Sequence, residues 1–185
     1  MTAVHMGATL GAAILVASLL SLPWTAARGR AARLALMALT ALYLASLFDL
    51  LGRGDVITID IKPRPGQPNH PRITRLVGSS VDPAIVGEVR RRAAGRRTMV
   101  ILDSDHSAAH VGAELEAYRE LVSLGCYLIV EDTNVNGHPV VPDYGPGPME
   151  AIDAFLPGAP EFAVDRDRER FMLSLNPRGF LKRAG

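Results

Sequence analysis

From about residue 41 the chain alternates between helical periodicity and short apolar runs. In "ALYLASLFDLLG", Leu44, Leu47, Phe48 and Leu51 recur at helical spacing, and Gly52 reads as the stop. "DVITIDI" (55–61) is short and β-branched, which predicts a strand ending at Asp60. The proline-rich "KPRPGQPNHP" continues neither element and reads as a turn. A second strand, "RITRLVGSS" (72–80), leaves through Gly78, Ser79 and Ser80. Asp82 and Pro83 then mark a helix start, with the acid as cap and proline at the first helical position of "PAIVGEVRRRAA". "RTMVILDSD" (97–105) predicts a third strand that exits through acids. "SAAHVGAELEAYRELV" sets Val111, Leu115, Tyr118 and Val122 on one helical face, and "CYLIVED" is a fourth strand.

Beyond it, "NVNGHPVVPDYGPGP" is a long loop dense in glycine and proline, of a kind that is commonly functional. A short helix, "MEAIDAFL", follows, and "FAVDRDRERFMLSLNPRGFLKR" is expected to close the sheet with an antiparallel pair, its "DRDRER" forming a charged turn in water. Because the strands are apolar runs rather than alternating ones, both faces of the sheet must be covered. The expected fold class is therefore α/β, a Rossmann-like, doubly wound and mainly parallel sheet.

The first forty residues break this pattern. No charge falls between Met6 and Ala27, and "GAAILVASLL" is strongly apolar. A stretch of that length is a candidate membrane helix over residues 6–27, weakened by Gly7, Gly11 and Pro23. "MTAVH" lacks the basic start of a secretory leader, so a cytoplasmic location is expected, with membrane association through this segment as the alternative. The expected division is an apolar segment over 1–40 and an α/β domain over 41–185.

A formal net charge of +1 and an aromatic content of 5% give no footprint for nucleic acid. The arginines at 90–92, 96 and 97 sit where a helix ends, complementing its dipole. A single cysteine, Cys126, excludes a disulfide framework and a cysteine-based zinc site, and its place in an apolar strand predicts packing.

Ligands of open parallel sheets bind beyond the carboxyl ends of the strands, and here four of those ends carry polar chemistry. They are Asp60; Gly78 with Ser79 and Ser80; Asp103 to His106; and the adjacent acids Glu131 and Asp132. Asp60 suits ribose hydroxyls. Asp103, Glu131 and Asp132 would gather carboxylates at neighbouring strand ends, and hard oxygen ligands without cysteine fit magnesium, manganese or calcium. Such an ion leaves positions for a substrate hydroxyl, and His106, three residues after Asp103, could reach the same rim as a general base. His110, one turn further on, is expected to be exposed or merely packed.

The strand ends "ILDSDH" and "LIVEDTNVNGHP", with "VITIDI", "HPRITRLVGSS" and the closing "FMLSLNPRGFLKR", resemble the cephalosporin hydroxylase, or rhamnosyl O-methyltransferase, type of class I S-adenosylmethionine-dependent methyltransferases. The resemblance spans about residues 41–183. It implies S-adenosylmethionine and Mg2+ as cofactors, with Asp103, Glu131 and Asp132 on the metal. It implies Asp60, Gly78, Ser79 and Asp103 around the methyl donor, Ser79 near the adenine. The similar catechol-type enzymes carry a basic side chain three residues after the first metal ligand, here His106, to remove the hydroxyl proton. The implied function is O-methylation of a sugar, glycolipid or other small-molecule hydroxyl. A homo-oligomer is a candidate assembly.

The pattern departs from that family before the helix "ALYLASLFDLL". There the family has an acid and then glycines, "ETG…GGS", whose backbone approaches the cofactor. This chain has "LALMALT", with no glycine between Arg30 and Gly52. The expectation is that the first strand and the glycine-rich loop are missing, through a misassigned start, a degraded copy or a membrane anchor in their place. Two other readings follow: a degenerate or membrane-tethered, non-catalytic methyltransferase-like protein, and a literal hydroxylase with His106, His110 and Asp103 as a two-histidine, one-carboxylate iron site. A phosphate-receiver domain would need a lysine at a later strand end, for which Lys62 and Lys182 are poorly placed.

Overall fold

The computed structural model describes residues 13–16, 27–62, 67, 69–169 and 174–185, with the backbone alone described at 13–16 and 27–38. The elements are β1 (Ala13–Val16), α1 (Ala27–Leu50), β2 (Val56–Asp60), β3 (Ile73–Val77), α2 (Pro83–Ala93), β4 (Met99–Leu102), α3 (Ala108–Tyr118), β5 (Tyr127–Val130), α4 (Pro148–Phe155), β6 (Phe162–Val164) and β7 (Phe180–Arg183). The strands form one seven-stranded sheet in the order β3-β2-β1-β4-β5-β7-β6. The pairs from β3 through β5 are parallel, whereas β7 runs antiparallel to both β5 and β6. This is the doubly wound α/β sheet expected from the apolar strands, closed by the expected antiparallel pair.

Alternation along the strands shows how both faces are covered. Ile57 and Ile59, Val100 and Leu102, and Leu128 and Val130 pack with Val86 and Val89 of α2 and Val111 and Leu115 of α3. The intervening Val56 and Ile101 belong to a second cluster with Ala41 and Ala45 of α1. Helices therefore lie on opposite sides of the sheet, and the strands are buried between them.

The centre of the sheet corrects one expectation. The position of the first strand, thought to be missing, is filled by Ala13–Val16, which pairs with Val56–Ile59 on one side and Met99–Leu102 on the other. Within the candidate membrane stretch, the described residues before Ala27 thus form a strand, not a helix, and the helix of this region is α1, which begins at Ala27. A short, uncharged run such as "AILV" carries no period that separates a buried strand from a buried helix, so tertiary pairing decides. The remainder of the candidate membrane stretch before Ala27 lies outside the described residues. Among those described, no helix is long and apolar enough to cross a membrane.

Two glycines hold the frame that positions the site. Gly54, between α1 and β2, has φ +107°, and a Cβ there would lie 2.4 Å from the Phe48 ring. Gly179 lets the chain before β7 pass against β5, since a Cβ would come 2.2 Å from the Val130 carbonyl oxygen. At α2, Asp82 caps as expected, its carboxylate accepting from the Ala84 N–H at 2.7 Å. Arg90, Arg91 and Arg92 fill the last turn of that helix, and Glu88 pairs with Arg91 and Arg92.

Candidate active site

The carboxyl ends of β2, β3, β4 and β5 open onto one rim, as the parallel register requires. Asp60 is the last residue of β2. Its Oδ1 accepts from the Lys62 N–H at 3.2 Å, and its carbonyl accepts from the Gly78 N–H at 2.9 Å, tying the exits of β2 and β3 together. Ser79 is half-buried, and its hydroxyl accepts from the Val81 N–H at 3.4 Å. Gly78 is needed for packing, since a Cβ would lie 2.8 Å from the Ile85 side chain.

Beyond β4 and β5 the rim becomes acidic. Asp103, His106 and Asp132 each point a ligand atom into one space, all within 4.8 Å of one another. His106 is buried, at 6% exposure, with its Nε2 3.5 Å from Asp103 Oδ1 and 3.4 Å from Asp132 Oδ2. The chain that follows it is anchored by two bonds: the Ala108 N–H donates to the Pro146 carbonyl at 2.9 Å, and the Ser107 N–H to Asp105 Oδ1 at 2.8 Å. Asp132 has φ +52°, a left-handed conformation that turns its side chain back toward Asp103 and His106.

Glu131 faces a different partner. Its Oε2 accepts from Asn176 Nδ2 at 2.6 Å, while Asn176 Oδ1 accepts from the Asp132 N–H at 2.8 Å. Burial pushes the Glu131 carboxyl up to about 7, opposed by that hydrogen bond and reinforced by the charges of Asp103 and Asp132. A buried carboxyl beside two other acids is a place where a cation would be welcome. That donor set suits a divalent cation, with Asp103 and Asp132 shared and either Glu131 or His106 adjacent. Asn176 went unnoticed in the sequence, where "NPRG" reads as a turn. Its position shortly before the run that becomes β7 is the one signal it carries.

His110 does not join this group. Its Nε2 lies 3.1 Å from the Ser80 hydroxyl and 3.4 Å from Glu114 Oε1. Glu114 is fully buried and its Oε2 accepts from the Ser104 hydroxyl at 2.7 Å, while the Tyr118 hydroxyl donates to the Ser80 carbonyl at 2.6 Å. The Glu114 carboxylate raises the His110 imidazole above its usual range, against a smaller opposing effect of burial. His110, Glu114 and Tyr118 thus form a polar column on α3 that ties the exit of β3 to the exit of β4. The two-histidine iron site is not assembled, because His110 is committed to this column.

The loop over 134–147 borders the acidic end. Glu150, in the first turn of α4, gathers it: Oε1 accepts from Asn136 Nδ2 and approaches His138 Nε2, both at 2.9 Å, and Oε2 accepts from the Gly147 N–H at 2.7 Å. Burial works to raise this carboxyl, but those partners outweigh it and hold it down at about 2. Glu150 was also missed, since an acid in a first helical turn reads as dipole complementarity alone. The stretch between β1 and α1, residues 17–26, lies outside the described residues; its sequence, "ASLLSLPWTA", contains neither glycine nor acid.

Comparison with known proteins identifies relatives and structures of similar fold. The rhamnosyl O-methyltransferase of Mycobacterium tuberculosis is 40% identical over 152 residues, 78% of this chain and 62% of that protein. That of Mycobacterium leprae is 38% identical over 152 residues, 78% of this chain and 66% of that protein. The chain therefore spans somewhat under two thirds of the length of the first of these relatives. Among solved structures, CmcI in its apo form matches with a TM-score of 0.58 at 17% identity, over 94% of this chain and 64% of that one. The MycE methyltransferase of mycinamycin biosynthesis, in complex with Mg and SAH, matches with a TM-score of 0.56 at 19% identity, over 96% of this chain and 46% of that one. At such identities these two establish the fold alone. The sequence model described as rhamnosyl O-methyltransferase/CmcI matches residues 38–184, and the chain belongs to that family.

Proposed function

We propose that the domain over residues 41–185, with β1 completing its sheet, is an S-adenosylmethionine-dependent, magnesium-assisted O-methyltransferase acting on a hydroxyl of a sugar, glycolipid or other small molecule. The observation that carries this reading is the meeting of Asp103, His106 and Asp132 beyond β4 and β5, with Glu131 beside them, on the rim that Asp60 and Ser79 share. Family membership supports it, as do relatives named rhamnosyl O-methyltransferases. MycE, of similar fold, has been captured with Mg, SAH and mycinamycin VI.

In this reading Asp60 accepts from the cofactor ribose, and Gly78 and Ser79 border the adenine. Asp103, Glu131 and Asp132 would hold the metal, and Asp103 would also border the cofactor. When bound, S-adenosylmethionine supplies an electrophilic methyl group, and magnesium a Lewis acid that orients and acidifies the acceptor hydroxyl. His106 accepts the hydroxyl proton at Nε2, and the carboxylates 3.4–3.5 Å away stabilise the positive charge that the ring then gains. Burial of His106 keeps bulk water from competing for that proton. The loop over 134–148, gathered by Glu150, would cover the acceptor.

One observation favours a second reading. "ASLLSLPWTA", between β1 and α1, offers no glycine for close approach of backbone to a ligand, as expected of a family member that keeps the fold without turnover. Calorimetric titration of S-adenosylmethionine into the purified chain, with and without magnesium, separates the two. Binding that magnesium strengthens, and that Glu131→Ala/Asp132→Ala makes indifferent to magnesium, supports the enzyme. A folded chain that binds no S-adenosylmethionine would be a non-catalytic member.

A further inference from the structure

Two ligand sets overlap at the acidic end of the rim. Asp103 and Asp132 belong to both. Glu131, next in the chain to Asp132, would complete the all-oxygen set proposed above for magnesium. His106 completes a mixed nitrogen and oxygen set, which suits ions of borderline softness such as zinc. From the spacing of the second set we infer that the site also takes zinc, with Asp103, His106 and Asp132 as its ligands, and that this ion removes His106 from proton transfer.

The distances fit a metal-ligand array better than a closely hydrogen-bonded ion pair. A charge-assisted N–H···O bond closes to about 2.7–2.9 Å. His106 Nε2 stands off at 3.5 Å from Asp103 Oδ1 and 3.4 Å from Asp132 Oδ2, nearly equidistant from both. Ligand atoms about 2.1 Å from a tetrahedral zinc ion are separated from one another by roughly 3.4 Å. The two nitrogen–oxygen separations therefore match two edges of such a tetrahedron, and all the ligand atoms lie within 4.8 Å of one another.

Local structure fixes these ligands in advance of any ion. The ring of His106 is buried, and its carbonyl oxygen lies against Gly147, where an added Cβ would approach it to 3.4 Å. Asp132 is turned by its left-handed backbone and held by Asn176 through its N–H. Asp103 and Asp132 side chains remain 29% and 30% exposed, so the space between them opens toward solvent. A three-ligand zinc site with an open fourth position is the form that binds exogenous molecules.

The consequence rests on the methyltransferase reading. The Nε2 lone pair that would take the acceptor proton is the one that would bind zinc, so the two uses exclude each other. Magnesium, bound through oxygens, leaves that lone pair available. The identity of the divalent ion would then switch the site between proton transfer and an arrested state.

The test measures metal binding without S-adenosylmethionine. Zinc chloride and magnesium chloride are titrated separately into the purified full chain, the His106→Gln variant and, as a control outside the cluster, His138→Gln. The expected result is that His106→Gln weakens zinc roughly tenfold or more and leaves magnesium within about twofold, while His138→Gln changes neither. Equal zinc affinity in the native chain and His106→Gln would overturn the inference, as would parallel loss of zinc and magnesium.

Should His106→Gln fail to fold, imidazole nitrogen spectra of the native chain decide the matter. Zinc must displace the Nε2 resonance of His106 and magnesium must leave it in place; an unmoved His106 resonance under zinc overturns the proposal. A chain that binds zinc through His106 but never binds S-adenosylmethionine would end the methyltransferase reading while upholding the metal site.

Discussion

Asn176 donates to the Glu131 carboxylate at 2.6 Å across 45 residues of chain, and the same amide accepts from the N–H of Asp132. One side chain thus sets the rotamer of one acid and the backbone of the next. Neighbouring bonds reinforce this docking: the Thr133 hydroxyl donates to the Pro177 carbonyl at 2.6 Å, and the Asn134 N–H to the Leu175 carbonyl at 3.3 Å. The chain before β7 is therefore a lateral support for the acids that follow β5.

Asn176→Ala should loosen both acids together. Outer-shell partners of metal ligands are typically worth about 10–100-fold in affinity, and that range is expected for magnesium here. Stability should fall by about 1–3 kcal/mol, because the Asp132 N–H and Glu131 lose their partner. Magnesium calorimetry and urea unfolding measure the two effects. An affinity unchanged in a destabilised variant would make Asn176 a purely structural clamp.

The raised carboxyl of Glu131 gives a pH dependence of definite sign. An unfolded glutamate titrates near 4.5 and the folded one at about 7. Between those values the folded chain keeps a proton that the unfolded chain releases, so this group's contribution to stability declines as pH rises through the window. Magnesium binding would expel that proton. The rise in melting temperature produced by magnesium should accordingly be larger at pH 8 than at pH 6. In Glu131→Gln that pH dependence should flatten; an equal magnesium shift at both pH values in the native chain would contradict the assignment.

Much of this site was legible because strand ends announce themselves. An apolar run that stops at an acid, as at Asp60, Asp103 and Glu131, states both the strand and the rim. Residues that act from a distance leave no such mark. Asn176 reaches Glu131 only because β7 pairs with β5, and "AILV" becomes β1 only because parallel neighbours flank it on both sides. His110, Glu114 and Tyr118 were readable in principle, since spacing by four places polar groups along one stripe of α3. Their meaning was not, because Ser80 and Ser104, their partners, come from two different loops.

That column predicts a cost for disturbing a residue remote from the acceptor. Glu114→Ala leaves the Ser104 hydroxyl without its buried acceptor and removes the carboxylate facing His110. A loss of about 1–3 kcal/mol is expected in urea unfolding. Glu114→Gln keeps the shape and an acceptor for Ser104, so its loss should be the smaller. Because Ser80 follows Ser79 on the rim, S-adenosylhomocysteine should bind the alanine variant more weakly than the glutamine variant. Equal stability of both variants and the native chain would show that the column carries no weight.

Glu150 behaves in the opposite sense to Glu131. Its folded carboxyl is held at about 2, against 4.5 for an unperturbed glutamate, by His138, the Gly147 N–H and Asn136 working against burial. A depressed acid contributes stability that is fully present above about pH 4.5 and is lost as pH falls toward 2. The loop it gathers carries Asn136 and Gly145 in left-handed conformations and links the two through the Asn136 side chain, which accepts from the Gly145 N–H at 3.1 Å. Releasing Glu150 frees Asn136 and His138 together, so the whole loop should open as a unit. Hydrogen exchange over residues 134–147 should therefore accelerate below pH 4.5 in the native chain, after allowance for the intrinsic pH dependence of exchange. Glu150→Gln should show that acceleration already at neutral pH, with the strands of the central sheet unaffected. Faster exchange throughout the sheet would mean that Glu150 supports the fold as a whole rather than the loop beside the site.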